Sequence, residues 1–487
     1  MERMLRLLLA TATVAHVAAE DFNVLQHLGG NGPLLPGPEV TGISSDVPEG
    51  CKVDLAAFFS RHGSRYPDTG AYNEWTAFYN HIQQSPFTVS DPKLEFLRTW
   101  KPVLSDPSAQ IAQISPTGYK ELTEMGATWR LRYSDLYEYN TPFTLWANWY
   151  KSSPRVRDSA RMFAHGFLGP NATELGTIYA LNSSDPASWM NSLATSDLCP
   201  AYEDEEGGAH IDHWQSIYLP PIVSRLNARI NGDFNFTQQE VKIIPYLCGF
   251  ETQITGKRSP FCDIFTDEEI LQYEYAQDLR YWYGVGLGTD IEKLQMLPTV
   301  DMLVRRFMDG PNATYDLGNS TFQAPNIMAS FTNDGQINQL IAATGVFDNE
   351  PELPGNSTLP NRKFRVSRFT PMRGTVAFER LFCSPSNATG QKNSSASQKR
   401  PDTSTTALSS AYIRILLNDV VYPVANCDSG PGASCPLSQY QEIVKSKLDK
   451  TSSFTSLCNT TNADYSSKPQ STFFMDNTLS FANTIKP

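Results

Sequence analysis

The chain has 487 residues, 40% of them hydrophobic, so it can bury one large core or the cores of two interleaved domains. Its formal net charge of −12 at pH 7 gives no support to nucleic acid or an anionic membrane as a partner. An acidic chain that carries a local cluster of arginines instead favours a site for a small anion.

The first 19 residues have the pattern of a secretory signal peptide. Arg3 and Arg6 precede a short apolar stretch, and Val17-Ala18-Ala19 follows as a small-residue cleavage site. The stretch is too short to span a bilayer, and the sequence has no other uncharged apolar run of spanning length. We therefore expect an extracellular protein, either free or associated with the cell wall.

The cysteines and the glycosylation sequons fit an extracellular chain. All 8 cysteines lie beyond the signal peptide, an even number that suits four disulfides, and their scattered spacing without CxxC argues against a zinc site. Asn-x-Ser/Thr sequons predict N-glycosylation of several surface asparagines. The sequons begin at Asn171, Asn182, Asn235, Asn312, Asn319, Asn356, Asn387, Asn393 and Asn459.

Three apolar segments share a pattern that predicts parallel strands. Residues 53–60, 144–153 and 325–332 are each a short β-rich run, followed by a polar turn and a helix-compatible stretch. Parallel sheets bind ligands beyond the carboxyl ends of their strands, so the three turns should meet at one site.

The segments between these turns are more helical. Residues 117–137 open with Thr117 as a candidate N-cap, and 266–284 begin with the capping pattern Thr-x-x-Glu. Residues 290–310 are helix-like but interrupted at Pro298. We expect these segments to form a helical cap inserted between the strands of the sheet.

Two strand-like runs near the end, 374–383 and 411–423, flank a segment that is poor in large apolar residues. This segment, 384–410, predicts a flexible surface loop that interrupts one sheet. The whole pattern predicts an α/β fold, with a large domain built on a mainly parallel central sheet flanked by helices and a smaller all-α cap domain. We assign residues 20–80, 142–170 and 320–487 to the α/β domain, and residues 81–141 and 171–319 to the cap.

The turn after the first strand, 58-FFSRHGSRYPDTG-70, carries the clearest chemistry. Arg61 and Arg65 surround His62, and arginine offers permanently charged donors in a planar fork that matches phosphate oxygens. Two cations oppose protonation of the ring, so we expect a lowered pKa for His62 and a neutral imidazole in acid. A neutral imidazole beside a bound phosphorus centre is a nucleophile, and Gly63 would allow close approach of ring and phosphate to the backbone.

The full motif 61-RHGSRYP-67 resembles the signature of the histidine acid phosphatases, the secreted branch of the histidine phosphatase superfamily. The resemblance implies a phosphoglycerate-mutase-like fold and a phosphohistidine mechanism that uses no metal and no cofactor. It covers nearly the whole mature chain, through segments similar to those of fungal phytases and acid phosphatases: 25-LQHLGGNGP-33, 51-CKVDLAAFFSRHGSRYP-67, 154-PRVRDSARMFAHGFLG-169, 325-PNIMASFTNDGQI-337, 372-MRGTVAFERLFC-383 and 427-CDSGPGASCPL-437.

The resemblance also implies roles for single residues. His62 matches the nucleophile, and Arg61 and Arg65 match two arginines that bind the phosphate. Arg155, which follows the second strand, matches a third such arginine. Two neighbouring arginines are weaker alternatives for that third role, Arg157 and Arg161.

Asp334 follows the third strand and matches the proton-donating aspartate of the family. A bound phosphate dianion would raise its pKa, so that it protonates the leaving oxygen and later takes a proton from the attacking water. Asn333 departs from the family pattern, which has His-Asp or His-Ala-Glu here. Its amide can donate a hydrogen bond to phosphate without adding charge, an expected loss of roughly 1–2 kcal/mol, or about ten-fold in affinity or rate.

The resemblance further implies four disulfides: Cys51–Cys383, Cys199–Cys458, Cys248–Cys262 and Cys427–Cys435. A competing motif, His210-x-x-His213 in an acidic stretch, has the ligand types of a metal site, but we expect an exposed loop there. The remaining histidines at 27, 81 and 165 are expected to be structural or at the surface, although His27 lies in a segment that resembles the family.

The sequence as a whole predicts a secreted acid phosphatase that hydrolyses small phosphate monoesters, with phytate among them. The alternative is a catalytically weakened or inactive glycoprotein that binds phosphate esters, because Asn333 replaces the family histidine. Neither interpretation involves a nucleic acid, a membrane, a metal or a cofactor, and both leave the oligomeric state and the exact substrate open.

Overall fold

The computed structural model describes residues 22–35, 40–150, 154–384 and 411–487. The predicted signal peptide lies outside the described residues. So does the predicted loop 384–410, apart from Ser384, and with it the sequons at Asn387 and Asn393.

The described residues form thirteen strands and fourteen α-helices. The strands are β1 (Cys51–Arg61), β2 (Phe87–Val89), β3 (Phe143–Asn148), β4 (Gly176–Leu181), β5 (Ile230–Gly232), β6 (Thr314–Asp316), β7 (Thr321–Gln323), β8 (Ile327–Thr332), β9 (Thr375–Cys383), β10 (Ala411–Leu417), β11 (Val420–Val421), β12 (Cys435–Pro436) and β13 (Ala482–Ile485). The helices are α1 (Thr69–Gln84), α2 (Pro107–Gln110), α3 (Pro116–Arg132), α4 (Arg155–Leu168), α5 (Ala172–Leu175), α6 (Gly208–Asn227), α7 (Gln238–Thr255), α8 (Asp267–Val285), α9 (Asp290–Gln295), α10 (Leu297–Asp309), α11 (Asp334–Thr344), α12 (Val366–Phe369), α13 (Leu437–Lys450) and α14 (Phe454–Leu457).

Nine strands form one central sheet in the order β11-β10-β9-β1-β8-β3-β4-β13, with β12 paired to β10. The four strands at its centre, β1, β8, β3 and β4, run parallel. Antiparallel pairs extend the sheet on both sides, through β9 next to β1 and β13 next to β4. The predicted α/β class is therefore confirmed, and the three predicted parallel strands are neighbours in the sheet.

Both faces of the sheet are covered, which explains why its central strands are apolar almost throughout. Alternate residues of β1 point to opposite faces: Phe58 packs with α3 and α4, whereas Phe59 belongs to the core that contains α11. The ring of Phe58 lies 4.4 Å from Trp129 and 5.1 Å from Phe163, measured between centroids. A parallel strand buried on both faces has no need of polar alternation.

Helix α8 begins as predicted, because Thr266 and Glu269 form a reciprocal capping box at its first turn. The prediction for α3 was wrong at both ends. Ser115, not Thr117, is the N-cap, since its hydroxyl accepts from the Gly118 N–H, and the helix ends at Arg132. Thr117 instead donates its hydroxyl proton to the Gln253 carbonyl at 2.6 Å and so docks α3 onto α7.

The break in 290–310 also differs from the prediction. The chain leaves α9 at Met296, and Pro298 occupies the second position of α10 rather than the break itself. A proline is tolerated in the first turn of a helix, because the N–H groups there have no intrahelical acceptor to lose.

Two features bear on the predicted cap ranges. Strand β4 lies within 171–319 and is part of the central sheet, and α3 lies within 81–141 and packs against the sheet together with α4.

His210 and His213 lie on α6 rather than in a loop, although both are exposed as expected. Within the described ranges, none of the helices combines the length and apolar character that a membrane span requires.

The eight cysteines form four disulfides, in the pairs that the resemblance implies: Cys51–Cys383, Cys199–Cys458, Cys248–Cys262 and Cys427–Cys435. The first of these joins residues that already pair in register between β1 and β9. It therefore ties the strand that leads to the His62 turn to its neighbour in the sheet.

Candidate active site

The carboxyl ends of three neighbouring strands meet at one site. Strand β1 ends at Arg61, β8 ends just before Asn333, and the helix after β3 begins at Arg155. The backbone N–H of His62 donates to the Thr332 carbonyl at 3.1 Å, which joins the first and third turns directly. This is the convergence that the parallel sheet predicts.

His62 is held as a neutral ring. Its side chain is buried, and its Nδ1 lies 2.9 Å from the Gly63 carbonyl oxygen, which can only accept, so Nδ1 carries the proton. Nε2 is then the nitrogen with the free lone pair. Burial lowers the pKa of His62 well below its usual value, and the charges of the three site arginines add to this effect. The sequence predicted a lowered pKa from the arginine charges alone, whereas burial is the larger cause of the lowering.

Gly63 is needed for close packing against α3. A Cβ at this position would lie 2.4 Å from a methyl of Leu122 and 2.9 Å from the Gly118 carbonyl oxygen. Glu121, also on α3, accepts from the backbone N–H and the hydroxyl of Ser64, at 2.8 and 2.9 Å. Helix α3 therefore fixes the turn that carries His62, a role that no local sequence pattern indicates.

Arg61 is buried and held from several sides. Its Nη1 donates to the carbonyls of Gly30 and Thr370, at 2.5 and 3.0 Å, and its Nη2 lies 3.3 Å from Oδ2 of Asp334. The segment 25-LQHLGGNGP-33 thus contributes to the site, because its Gly30 carbonyl accepts a hydrogen bond from Arg61 and fixes that side chain.

Arg65 and Arg155 complete a cationic cluster. Arg65 lies over the ring of Phe250 at 5.3 Å and pairs with Asp68 at 3.4 Å. Burial, together with the neighbouring charge of Arg65, lowers the pKa of Arg155 to about 10. Among the described residues, the buried Nε–H groups of Arg61, Arg65 and Arg155 have no hydrogen-bond partner. Buried donors are costly to leave unpaired, so the cluster suits an external oxyanion.

The two alternatives for the third arginine are engaged elsewhere. Arg161 pairs with Asp158 at 2.8 Å and donates to the Lys486 carbonyl. Arg157 lies over the indole of Trp149 at 5.4 Å. Arg155 is the member of this helix whose charge acts on His62.

Asp334 and Asn333 lie at the start of α11. Asn333 is the N-cap residue, but its side chain makes no capping bond, and its Oδ1 is buried without a partner in the described part of the chain. Oδ2 of Asp334 accepts from the Tyr281 hydroxyl at 2.7 Å and faces Arg61. Burial opposes ionisation of Asp334, but the charge of Arg61, the hydrogen bond from Tyr281 and the charge of Arg280 outweigh it and hold the pKa well below its usual range.

A pocket of about 550 Å³ adjoins the site and includes Asp334, Arg65 and the helices α1, α6, α7 and α8. Acidic residues outnumber basic ones in its lining: Asp68, Glu74, Glu205, Glu206 and Asp212 lie there besides Asp334, whereas Lys242 and Arg280 are the bases besides Arg65. Arg280 is itself paired with Asp204 at 2.7 Å. Neither Arg280 nor Tyr281 was predicted as a site residue, because both lie within a helix pattern that carries no motif.

His210 and His213, the histidines of the competing metal motif, are not among the residues that line this pocket. The ring of His210 stacks on Tyr283 at 3.6 Å between centroids, and within the described ranges no group of three or more His, Cys, Asp or Glu residues could hold a metal ion.

The sheet, the His62 turn and the arginine cluster form a site suited to a phosphate group, and comparison with known proteins gives the family. The model of the histidine phosphatase superfamily (branch 2) matches residues 52–418, and the chain belongs to this family.

Similar proteins include both acid phosphatases and phytases. Acid phosphatase PHO1 of Komagataella pastoris is 29% identical over 92% of this chain and 89% of its own length. Phytase PHO112 of Candida albicans is 26% identical over 90% of this chain and 87% of its own length. The crystal structure of a phytase from D. castellii superposes with a TM-score of 0.78 at 25% identity, and the match covers 96% of this chain and 95% of that one. The chain is therefore a phosphoric monoester hydrolase of the acid phosphatase and phytase type.

Proposed function

We propose that this protein is a secreted acid phosphatase that hydrolyses phosphate monoesters through a phosphohistidine intermediate. The observation that carries the proposal is a buried, neutral His62 beside Arg61, Arg65 and Arg155, with the carboxyl of Asp334 held by Arg61. Secretion is supported by the signal-peptide pattern of residues 1–19.

In the first step, Nε2 of His62 attacks phosphorus, and the bond from phosphorus to the ester oxygen breaks. The arginine cluster holds the phosphoryl oxygens, so the charge that spreads over them meets fixed cations. The leaving oxygen takes a proton from Asp334, because an alkoxide is a poor leaving group. The products of this step are the free alcohol and phospho-His62.

The proton on Asp334 has to arrive with the substrate. Asp334 is ionised in the free protein, since its pKa is held well below the usual range. A phosphate monoester whose second pKa is about 6 still carries a proton in mild acid. When this monoanion binds, the proton passes to Asp334, whose pKa rises beside the phosphoryl dianion. Activity is therefore expected to fall as the substrate loses its second proton.

In the second step, the ionised Asp334 takes a proton from water, and the water oxygen attacks phospho-His62. The bond from phosphorus to nitrogen breaks, and inorganic phosphate and neutral His62 are released. Asp334 is protonated again at the end of this step, and that proton leaves with phosphate as the monoanion.

The pocket favours simple monoesters over phytate. Four of its carboxylates, Glu74, Glu205, Glu206 and Asp212, form no ion pair with another described residue, while Lys242 is the unpaired base that faces them. A leaving group with several phosphates meets repulsion from such a wall, whereas a neutral alcohol does not. We propose broad specificity, with phytate among the substrates but less favoured than a simple monoester.

One assay tests the function: release of phosphate from p-nitrophenyl phosphate and phytate by the purified protein, between about pH 2.5 and 6. We expect turnover of both substrates, and loss of all turnover in His62→Ala. The rival proposal, a phosphate-ester binder weakened by Asn333, predicts binding of inorganic phosphate without any release from either ester.

A further inference from the structure

Tyr281 contacts the proposed proton donor from a helix that carries no catalytic motif. Its ring is buried, and its hydroxyl donates to Oδ2 of Asp334 at 2.7 Å. Nη2 of Arg61 lies 3.3 Å from the same oxygen. Oδ1 receives no hydrogen bond from any described residue, so the two oxygens of this carboxylate have different surroundings.

The hydroxyl of Tyr281 has little freedom to leave this position. A Cβ on Gly30 would lie 2.2 Å from the Tyr281 oxygen, so only glycine leaves room for the phenol there. The carbonyl of the same Gly30 accepts from Arg61. Gly30 therefore helps to place both neighbours of Oδ2, the phenol that donates to it and the guanidinium that pairs with it.

Helix α8, which carries Tyr281, is itself anchored on the side of α12. Asp278 accepts from the backbone N–H of Val366 at 2.7 Å and from Nε of Arg362 at 2.5 Å. One turn earlier, Glu274 pairs with His27 at 3.1 Å. Burial raises the pKa of the Tyr281 hydroxyl, and the charge of Asp334 adds to this effect, so the phenol stays a donor throughout the working range of pH.

We propose that Tyr281 is a positioning residue for the acid of this site: with Arg61 it occupies Oδ2 of Asp334 and thereby reserves Oδ1 for the transferred proton. Oδ2 accepts the Tyr281 hydrogen bond and lies beside the Arg61 cation, so a proton on this oxygen would clash with the phenol hydrogen and oppose the guanidinium charge. The carboxyl is therefore protonated at Oδ1 and cannot rotate to exchange its oxygens. The inference rests on the proposed function, because it concerns the same proton transfer.

The test is Tyr281→Phe, which removes the hydroxyl and keeps the ring. We expect kcat to fall about ten-fold for an alkyl ester such as glycerol 2-phosphate, whose leaving group needs the proton. The loss for p-nitrophenyl phosphate, whose leaving group is already acidic, should be within about three-fold. The hydrogen bond to the carboxylate favours its ionised form, so without it the alkaline limb of the kcat profile should move to higher pH.

A matched control lies on the same helix. The hydroxyl of Tyr275 donates to the Pro354 carbonyl at 2.7 Å, away from the pocket, so Tyr275→Phe should leave both esters and the pH profile unchanged. Gly30→Ala gives a second route, because the added methyl displaces the phenol, and it should reproduce the difference between alkyl and aryl esters.

Equal losses for both ester types in Tyr281→Phe, with an unmoved alkaline limb, would overturn the proposal and leave Tyr281 a packing residue. If Tyr281→Phe does not fold, an unchanged alkyl-to-aryl ratio in Gly30→Ala would overturn it instead. The unmodified protein is assayed first with p-nitrophenyl phosphate. Its activity there separates a failure of this inference from a failure of the proposed function.

Discussion

At the scale of single residues, the chemistry of the site depends on charges that compete across a few ångströms. The sequence predicted the neutral His62, because two arginines flank it, but burial is the larger cause of its lowered pKa. Tyr281 and Gly30 were missed, since a phenol donor and a close approach between distant segments leave no local pattern. Tyr281 lies 53 residues before Asp334 in the chain and Gly30 lies in the N-terminal segment, so one sequence does not reveal that the three meet.

A test at this scale concerns Asn333. In Asn333→His, the ring is protonated in acid and adds a charge-assisted bond to phosphate, so inhibition by inorganic phosphate at about pH 5 should strengthen about ten-fold. The gain should disappear above about pH 6.5, as the ring loses its proton. The inhibition constant of phosphate, measured across this range, checks both expectations.

A control for this substitution is available at the other end of β8. Asn326 precedes the strand and bonds with Asn312, so Asn326→His adds the same charge far from the site. Equal changes in phosphate inhibition in both variants would mean that position 333 makes no specific contact with phosphate.

At the scale of elements, the hydrophobic pattern predicted the three strands that lead to the candidate site, but it did not predict the ends of every helix. The Thr-x-x-Glu pattern located the start of α8, because capping acts within one turn. Thr117 misled the prediction for α3, since its hydroxyl serves a contact with Gln253 on another helix. Strand β4 was missed because its role depends on the partner strand β3, which lies outside its own sequence.

The packing of α3 on α4 gives a test at this scale. A Cβ on Gly126 would lie 2.2 Å from the Phe163 carbonyl oxygen, so the helices cross with backbone in contact. Gly126→Ala should force them apart and lower the free energy of unfolding by about 1–3 kcal/mol. Because α4 begins with Arg155 and α3 fixes the His62 turn, kcat/KM should fall as well.

The control for this prediction is Gly70→Ala on α1. Its added Cβ would have 3.4 Å to the nearest atom, Oδ1 of Asp68, so the change should leave stability unaltered or raise it by up to about 1 kcal/mol. The free energy of unfolding of each variant, measured by urea denaturation, tests this prediction. Equal effects in both would show that the close crossing of α3 and α4 is unimportant.

At the scale of the whole molecule, the acidic composition has a local consequence in the pocket. The net charge of −12 gives no support to a polyanionic macromolecule as partner, and acidic side chains also outnumber basic ones among the residues that line the pocket. Glu205 and Asp212 lie in one acidic stretch of the sequence, but only the fold brings that stretch together with Glu74 of α1 beside the site.

Neutralising this wall should widen the substrate range. In Glu205→Gln combined with Glu206→Gln, kcat/KM for phytate at about pH 5 should rise three- to ten-fold, while p-nitrophenyl phosphate changes by less than about two-fold. Glu203→Gln, outside the pocket lining, is the control. If the double variant prefers p-nitrophenyl phosphate over phytate as strongly as the unmodified protein does, the acidic residues of the pocket do not set the specificity.

The central claim is that the imidazole of His62 accepts the phosphoryl group and that Asp334 then brings in the water. Rapid quenching into base during turnover of p-nitrophenyl phosphate, followed by peptide mass spectrometry, measures this directly. We expect a single phosphoryl group on the peptide that contains His62, more of it in Asp334→Asn, and none in His62→Ala. An active preparation in which no phosphohistidine forms, or in which another residue carries the phosphoryl group, would contradict the account.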